Sequence, residues 1–508
     1  MRAAAPAIVL ATLNAKYFHA SLGLRYLLAN LGELRDQAQI REFTIQQKPA
    51  DIAERLLAGD PRIVGLGVYV WNVRETAAVV GIIKAVAPQV RVVLGGPEVS
   101  FPSDWPAVCA LADHVVTGQA DHAFADLCRA ILADDGPAKL VVGGELDPRT
   151  LALPYDLYDA QDLAHRLTYV EASRGCPFKC EFCLSALDTT ARPVDLDAFF
   201  AHMQGLLDRG ARQFKFIDRT FNLAAATAVR ILRFFLDRLQ PDLHLHFELV
   251  PDRLPPEVAS LLAEFPPATV QLEIGVQTFD PAVQARISRK QDEAKTLANL
   301  QWLRQHTQAH LHVDLIAGLP GEDLAGFGRG FDRLVALGPQ EIQLGILKRL
   351  RGAPILRHGQ AFGLRFNSEP PYELLASNDL SFADLQRVGR VARLWDLVGN
   401  SGRFPNARQL LLGQAAFARL LAFADWVAEQ VGQTHAIAQE RLFSVVFGGL
   451  TQALGVAVAQ ARDALERDYA RVPGKGALRL VAVGRVQDGE PPTASHRARQ
   501  VRAVATEV

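Results

Sequence analysis

Three of the five cysteines in this chain fall within eight residues, Cys176-Pro-Phe-Lys-Cys180-Glu-Phe182-Cys183, spaced Cys-x3-Cys-x2-Cys. Three thiolates on one short loop can ligate three irons of a [4Fe–4S] cluster. With no fourth cysteine nearby, the fourth iron is left for a small-molecule ligand. A zinc site asks for four Cys or His ligands in paired sets, and the nearest imidazoles, His165 and His202, stand at no such spacing. A dithiol redox pair needs only two cysteines. The pattern points to a cluster that acts as a reagent rather than as an electron wire.

The elements around the loop say how it is positioned. It follows a strand-like run at 167–172, and strands are expected at 213–222, 243–250, 270–278, 312–322 and 341–348. Helical patterns at 195–207, 224–239, 255–265, 293–306 and 324–337 separate them. Six such units make a partial βα barrel, and βα barrels carry their chemistry at the carboxyl ends of the strands. Those ends hold Asp218 and Arg219, Glu248, Gln277 and Gly318.

Residues 1–146 alternate in the same way and predict a doubly wound, Rossmann-like sheet. Strands are expected at 7–13, 39–45, 63–70, 90–98 and 114–118, with helices at 21–31, 49–57, 75–86 and 121–132. Ligands of open α/β sheets sit beyond the carboxyl ends of the strands. Here those ends are Asn14, Tyr69 with Trp71, Gly95-Gly96-Pro97-Glu98, and Gly118-Gln119. No G-x-G-x-x-G follows the first strand, so a dinucleotide is not expected. Gly95 and Gly96 either let backbone approach a large flat ligand or adopt a tight turn with positive φ.

The cysteine spacing, with aromatic Phe182 before the last Cys, resembles the signature of radical S-adenosylmethionine (SAM) enzymes. With the stretches Leu94-Gly-Gly-Pro-Glu98 and Asp113-His-Val-Val-Thr-Gly118-Gln-Ala-Asp121 in front, the chain resembles the cobalamin-dependent members of that superfamily. The first strand's Ala-Thr-Leu-Asn-Ala-Lys-Tyr, at 11–17, is similar to one subgroup with a helical C-terminal domain. The resemblance implies a [4Fe–4S] cluster on Cys176, Cys180 and Cys183 that chelates SAM and reductively cleaves it to a 5′-deoxyadenosyl radical. It places Asp218 and Arg219 at the SAM amino group, although the usual Gly-Gly-Glu is missing. Glu248 falls near the ribose or carboxylate, Gln277 in the motif ending the fourth strand, and Gly318 against the adenine. It also implies cobalamin over Asn14, Gly95, Gly96, Pro97, Gly118 and Gln119. The Asp-x-His-x-x-Gly motif is absent, so no protein histidine is expected on cobalt, and Tyr69 or Trp71 is expected to cover its lower face. The implied reaction is methylation of an unactivated carbon. The alternative is a cobalamin-dependent rearrangement or ring formation without methyl transfer, and a non-catalytic cobalamin carrier is a third reading that has no need of the cysteines.

The remaining sequence sets bounds. The 508 residues are expected to divide into a cobalamin-binding domain (1–146), a linker and barrel (147–366), a helical domain (367–484) and a flexible tail (485–508). Helices are expected at 383–397, 410–430, 434–447 and 451–469. The charge-free stretch 442–461 carries Ser444, Gly448, Gly449, Thr451, Gln452 and Gln460, and reads as a packed helix rather than a membrane span. A net charge of −1 gives no nucleic-acid signal. Only Cys109 and Cys128 lie outside the loop, too few for the second cluster of a methylthiotransferase or for a methylated-cysteine mechanism. Thiols required as thiolates suit a reducing cytoplasm. The expected partners are a small-molecule or peptide substrate and an electron donor such as flavodoxin or ferredoxin.

Overall fold

The computed structural model describes residues 6–432, 434, 437–472, 478–481 and 483. The predicted tail at 485–508 lies outside the described residues. The chain forms two compact units, one ending at Leu385 and one starting at Gln386.

The first unit contains two six-stranded parallel sheets. The N-terminal sheet comprises β1 (Ile8–Asn14), β2 (Ala38–Thr44), β3 (Ile63–Gly67), β4 (Arg91–Gly95), β5 (His114–Thr117) and β6 (Leu140–Val142), in the order β2-β1-β3-β4-β5-β6. The short β6 has no counterpart among the predicted strands. β1 is buried along its whole length, and its alternation divides it between two cores. Ile8 and Leu10 pack with α1 (Leu22–Ala29) through Leu24 and Leu28, and with Phe124 and Leu127. Val9, Ala11 and Leu13 pack with α2 (Pro49–Leu57) and α3 (Val73–Val86) through Leu56, Val80 and Ile83. Helices on both faces explain the unbroken apolar run. The strand order reverses between β1 and β3, which opens a crevice at their carboxyl ends.

The second sheet is a partial barrel: β7 (Thr168–Val170), β10 (Gln213–Phe216), β11 (His244–Leu249), β12 (Val270–Gln277), β13 (His310–Ala317) and β14 (Glu341–Ile346). These strands pair in chain order, from β7 at one edge to β14 at the other. Between β7 and β10, β8 (Ser173–Arg174) and β9 (Arg192–Pro193) form a small antiparallel ribbon that brackets the cysteine loop. Burial alternates along β11 and β12. Phe214 and Phe216 pack with Phe235, and Phe216 with Phe247, on one face, while Lys215 and His246 both bond Glu273 across three strands on the other. The predicted irregular stretch 367–379 includes β16 (Leu374–Ala376), paired with β15 (Arg365–Phe366), and Leu374 packs with Leu319, Leu347 and Ile355.

The second unit is helical. The helix expected at 410–430 is two helices, Pro405–Leu412 and Ala416–Gln430, bent by 103° at Gly413, whose φ is +52°. The charge-free stretch is likewise not one helix. Gln439–Gly448 runs into a π-helical turn, Gly449–Ala453, before Val458–Tyr469 starts. No single helix among the described residues is long and apolar enough to cross a membrane.

Candidate active site

The cysteine loop is fixed at both ends by buried carboxylates. Asp218, just past β10, accepts the Ala172 N–H at 3.0 Å and the Ser173 hydroxyl at 2.6 Å. Burial pushes its carboxyl up to about 7 against these hydrogen bonds. Gly175 turns the chain at φ +97°, and the Cys176 N–H then donates to Asp188 O at 2.8 Å. Beyond Cys180, the backbone of Glu181 pairs with Ile287 and Ile355. Its carboxylate is held by the Ser288 hydroxyl, by Arg357 and by His358 at 2.9 Å.

All three cysteines line one cavity of about 240 Å³ at the barrel's carboxyl end, with Phe182, Arg219, Glu248, Glu273, Gln277, Arg289 and Asp314. Burial pushes the Cys176 and Cys180 thiols up and Cys183 raises both, while Arg219 lowers Cys176 and Arg289 lowers Cys180. A thiol bound to metal is deprotonated outright, which removes that cost. Among the described residues no His, Cys, Asp or Glu group converges tightly enough for a single ion. A [4Fe–4S] cluster asks for a wider arrangement, because each thiolate takes a different iron.

The walls of this cavity are charged. Arg219 pairs with both Glu248 oxygens at 2.9 and 3.0 Å. Burial alone raises the Glu273 carboxyl, but the His246 imidazole and the Lys215 ammonium overcome it and hold the group at about 2. Gln277 occupies a bulge of β12 with φ +70°, and its buried Oε1 has no partner. Asp218 is not part of the cavity lining; its oxygens hold the start of the cysteine loop from behind. Gly318 stands at φ +90°, where a Cβ would meet Leu374 at 2.5 Å.

At the N-terminal sheet, Tyr69, Gly95, Gly96, Gly118 and Gln119 line an apolar slot of about 290 Å³ between the strand ends and the helices α1 and Asp121–Leu132. A larger opening of about 780 Å³ is lined by Gly96, Pro97, Gly118 and Gln119 on one side and by Ser173, Gly175, Leu184 and Arg219 on the other. Gly96 is glycine for the turn itself: its φ is +104°, and a Cβ would lie 2.6 Å from Val68 O. Trp71 stacks on Tyr69 with centroids 4.5 Å apart and remains 45% exposed. Asn14 does not face the slot through its amide, which donates to His19 O at 3.0 Å. His19 in turn bonds the Tyr169 hydroxyl at 2.5 Å.

The contacts of several further residues here could not be read from the motifs. Arg174 links the two sheets: it bonds Asp121 at 2.9 Å and Glu171 at 2.6 Å, and lines both N-terminal cavities. Glu98, from the Gly-Gly-Pro-Glu turn, is buried against Arg351 at 2.8 Å and the Tyr372 hydroxyl at 2.5 Å. Gly143 and Gly144, following β6, complete the wide opening.

Comparison with known proteins follows this division. Residues 8–128 match the B12 binding domain, residues 170–331 the Radical SAM superfamily, and residues 360–502 a family described as Protein of unknown function (DUF4080). The chain is 30% identical over 236 residues to an uncharacterized methyltransferase of Pyrococcus horikoshii, covering 41% of this chain and 51% of that protein. It is 26% identical over 339 residues to 2-(S-pantetheinyl)-carbapenam-3-carboxylate methyltransferase of Streptantibioticus cattleyicolor, covering 57% and 47%. It is 25% identical over 328 residues to the cobalamin-dependent radical SAM methyltransferase TokK of Streptomyces tokunonensis, again covering 57% and 47%. The chain thus spans about half the length of the curated relatives it matches. Two solved structures share the fold. One is the radical SAM methyltransferase TsrM of Kitasatospora setae with cobalamin and a [4Fe–4S] cluster, with 19% identity, a TM-score of 0.57 and coverage of 72% and 78%. The other is the cobalamin-dependent radical SAM enzyme OxsB with aqua-cobalamin and SAM, with 13% identity, a TM-score of 0.60 and coverage of 92% and 84%.

Proposed function

From the premise that this chain belongs to the radical SAM proteins carrying a B12-binding domain, we propose that it is a cobalamin-dependent radical SAM methyltransferase acting on an unactivated carbon. The observation that carries the reading is the shared wall between the two halves. Arg219 lines both the cysteine cavity and the wide opening whose far side is made by the glycine turns of the N-terminal sheet.

Cys176, Cys180 and Cys183 would take three irons. Gln277, with an unpartnered acceptor, and the Arg219–Glu248 pair would orient SAM on the fourth. The apolar slot beside Tyr69 and the glycine turns Gly95-Gly96-Pro97 and Gly118-Gln119 would hold cobalamin. When bound, the reduced cluster supplies the electron that splits SAM to a carbon radical, and the corrin supplies a transferable methyl group. The chain's own task is to keep the two centres apart yet open to one another. Its carboxylate-anchored loop fixes one side, and its buried Glu98–Arg351 pair ties the glycine turn to the barrel on the other. The substrate is taken to be a small molecule or peptide entering the wide opening. The electron donor would be a flavodoxin or ferredoxin, in a reducing cytoplasm where the thiols stay free.

Anaerobic reconstitution tests this without a known substrate. The chain should hold about four irons and one cobalamin. With reductant and methyl-deuterated SAM it should form 5′-deoxyadenosine and labelled methylcobalamin. Cobalamin that binds but never takes the label would favour the rearrangement or ring-forming alternative instead.

A further inference from the structure

The segment Ser288-Arg289-Lys290-Gln291 belongs to no motif, yet it wraps the cysteine loop. Ser288 adopts φ +54° and donates its hydroxyl to Glu181 at 2.5 Å. The Arg289 N–H donates to Gln284 O at 2.8 Å. The Arg289 guanidinium is then held at three points: Nη1 lies 3.5 Å from Cys180 Sγ, Nη2 donates to Gly275 O, and Nε donates to Gln291 Oε1 at 2.9 Å. None of these acceptors is a carboxylate. Arg219, across the same cavity, has its charge balanced by Glu248.

We propose that Arg289 is a positioning residue that raises the reduction potential of the cluster on Cys176, Cys180 and Cys183. The inference rests on the cluster reading above. An added electron makes the cluster more negative, so a fixed cation with no carboxylate among its hydrogen-bond acceptors stabilises the reduced form more than the oxidised one. A hydrogen bond to a ligand sulfur acts in the same direction. The effect is large where the surroundings are poor in water. A cavity-lining arginine could instead serve only the SAM carboxylate, and the experiment separates the two.

The reconstituted full chain, without SAM, is titrated against potential and followed by electron paramagnetic resonance, with iron content and SAM affinity measured alongside. In Arg289→Gln the ratio of reduced to oxidised cluster at fixed potential should fall about tenfold, which is about 59 mV for a one-electron couple. Arg289→Lys, which keeps the charge, should stay within threefold of the parent. An Arg289→Gln midpoint within threefold of the parent, with only SAM affinity changed, overturns the inference. If Arg289→Gln does not hold iron, Arg289→Lys decides: a tenfold fall there overturns the role of charge, and an unmoved midpoint with full iron supports it. A parent chain that never binds iron overturns the cluster reading and this inference together. A normal cluster with an unmoved midpoint overturns this inference alone.

Discussion

The two sheets of the first unit are both six-stranded and parallel, and they prepare ligand sites by opposite means. In the N-terminal sheet both faces are packed, β1 is buried throughout, and the site is confined to glycine turns and an apolar slot at the strand ends. In the barrel only the outer face is packed. The inner face carries Lys215, His246, Glu273, His312 and Glu341 in cross-strand pairs, and the site is charged and reaches down among the strands. The first site is shaped by glycine turns and apolar side chains around one Arg174–Asp121 pair, the second by several charged side chains. The surroundings of the carboxylates differ in the same way: Glu273 is held at about 2 by the His246 imidazole and the Lys215 ammonium, whereas Asp218, with Ser173 and backbone N–H donors only, is raised to about 7 by burial.

The sharpest break in this comparison is Cys180→Ala, which should remove the iron of the charged site altogether while leaving cobalamin retention in the site of the glycine turns; iron analysis and the corrin absorbance read the two separately. Next is the buried joint between the sheets. Arg351→Met strands the Glu98 carboxylate in the interior and should cost about 3–5 kcal/mol, whereas the double variant with Glu98→Gln should recover most of it; thermal unfolding of both variants checks this. Gly96→Ala tests whether shape governs the first site. With φ +104° and ψ 171°, a conformation kept almost entirely for glycine, it should cost about 1–3 kcal/mol and weaken cobalamin binding. Gly144→Ala, where an added Cβ meets nothing within 4 Å, should do neither.

The smallest effect is a slope. Because Asp218 is raised from 3.8 to about 7, the folded chain keeps a proton that the unfolded chain has lost in that window, so stability falls as pH rises through it. Asp218→Asn should remove up to about 1.4 kcal/mol per pH unit of that decline. Its melting temperature should therefore improve relative to the parent between pH 5 and pH 7, and parallel curves for the two proteins would sink the assignment.

Legibility followed the range of the interactions. The cysteine triad and both sheets were readable because spacing and strand periodicity are local, and the strand-end residues Arg219, Glu248 and Gln277 do line the cavity of the cysteines. The contacts of Asp218 were not legible, because a carboxylate at a strand end looks the same in sequence whether it meets a ligand or the backbone of a neighbouring loop, here at Ala172, 46 residues away. Nor was the neighbour of Gly318, since what lies where its Cβ would be is Leu374, from a distant strand. The bend at Gly413 and the π turn at 449–453 escaped because apolar periodicity continues across both.

The sequence by itself determined that three thiolates share one short loop at the end of a strand, behind a sheet with glycine turns. These are statements about neighbours in the chain. Only the tertiary structure decided that Arg289 faces Cys180, that Glu98 is buried against Arg351, and that Arg219 stands in the walls of both cavities. Those contacts close across 109 to 253 residues, and Coulomb interactions and burial depend on distance in space, which no spacing in the chain encodes.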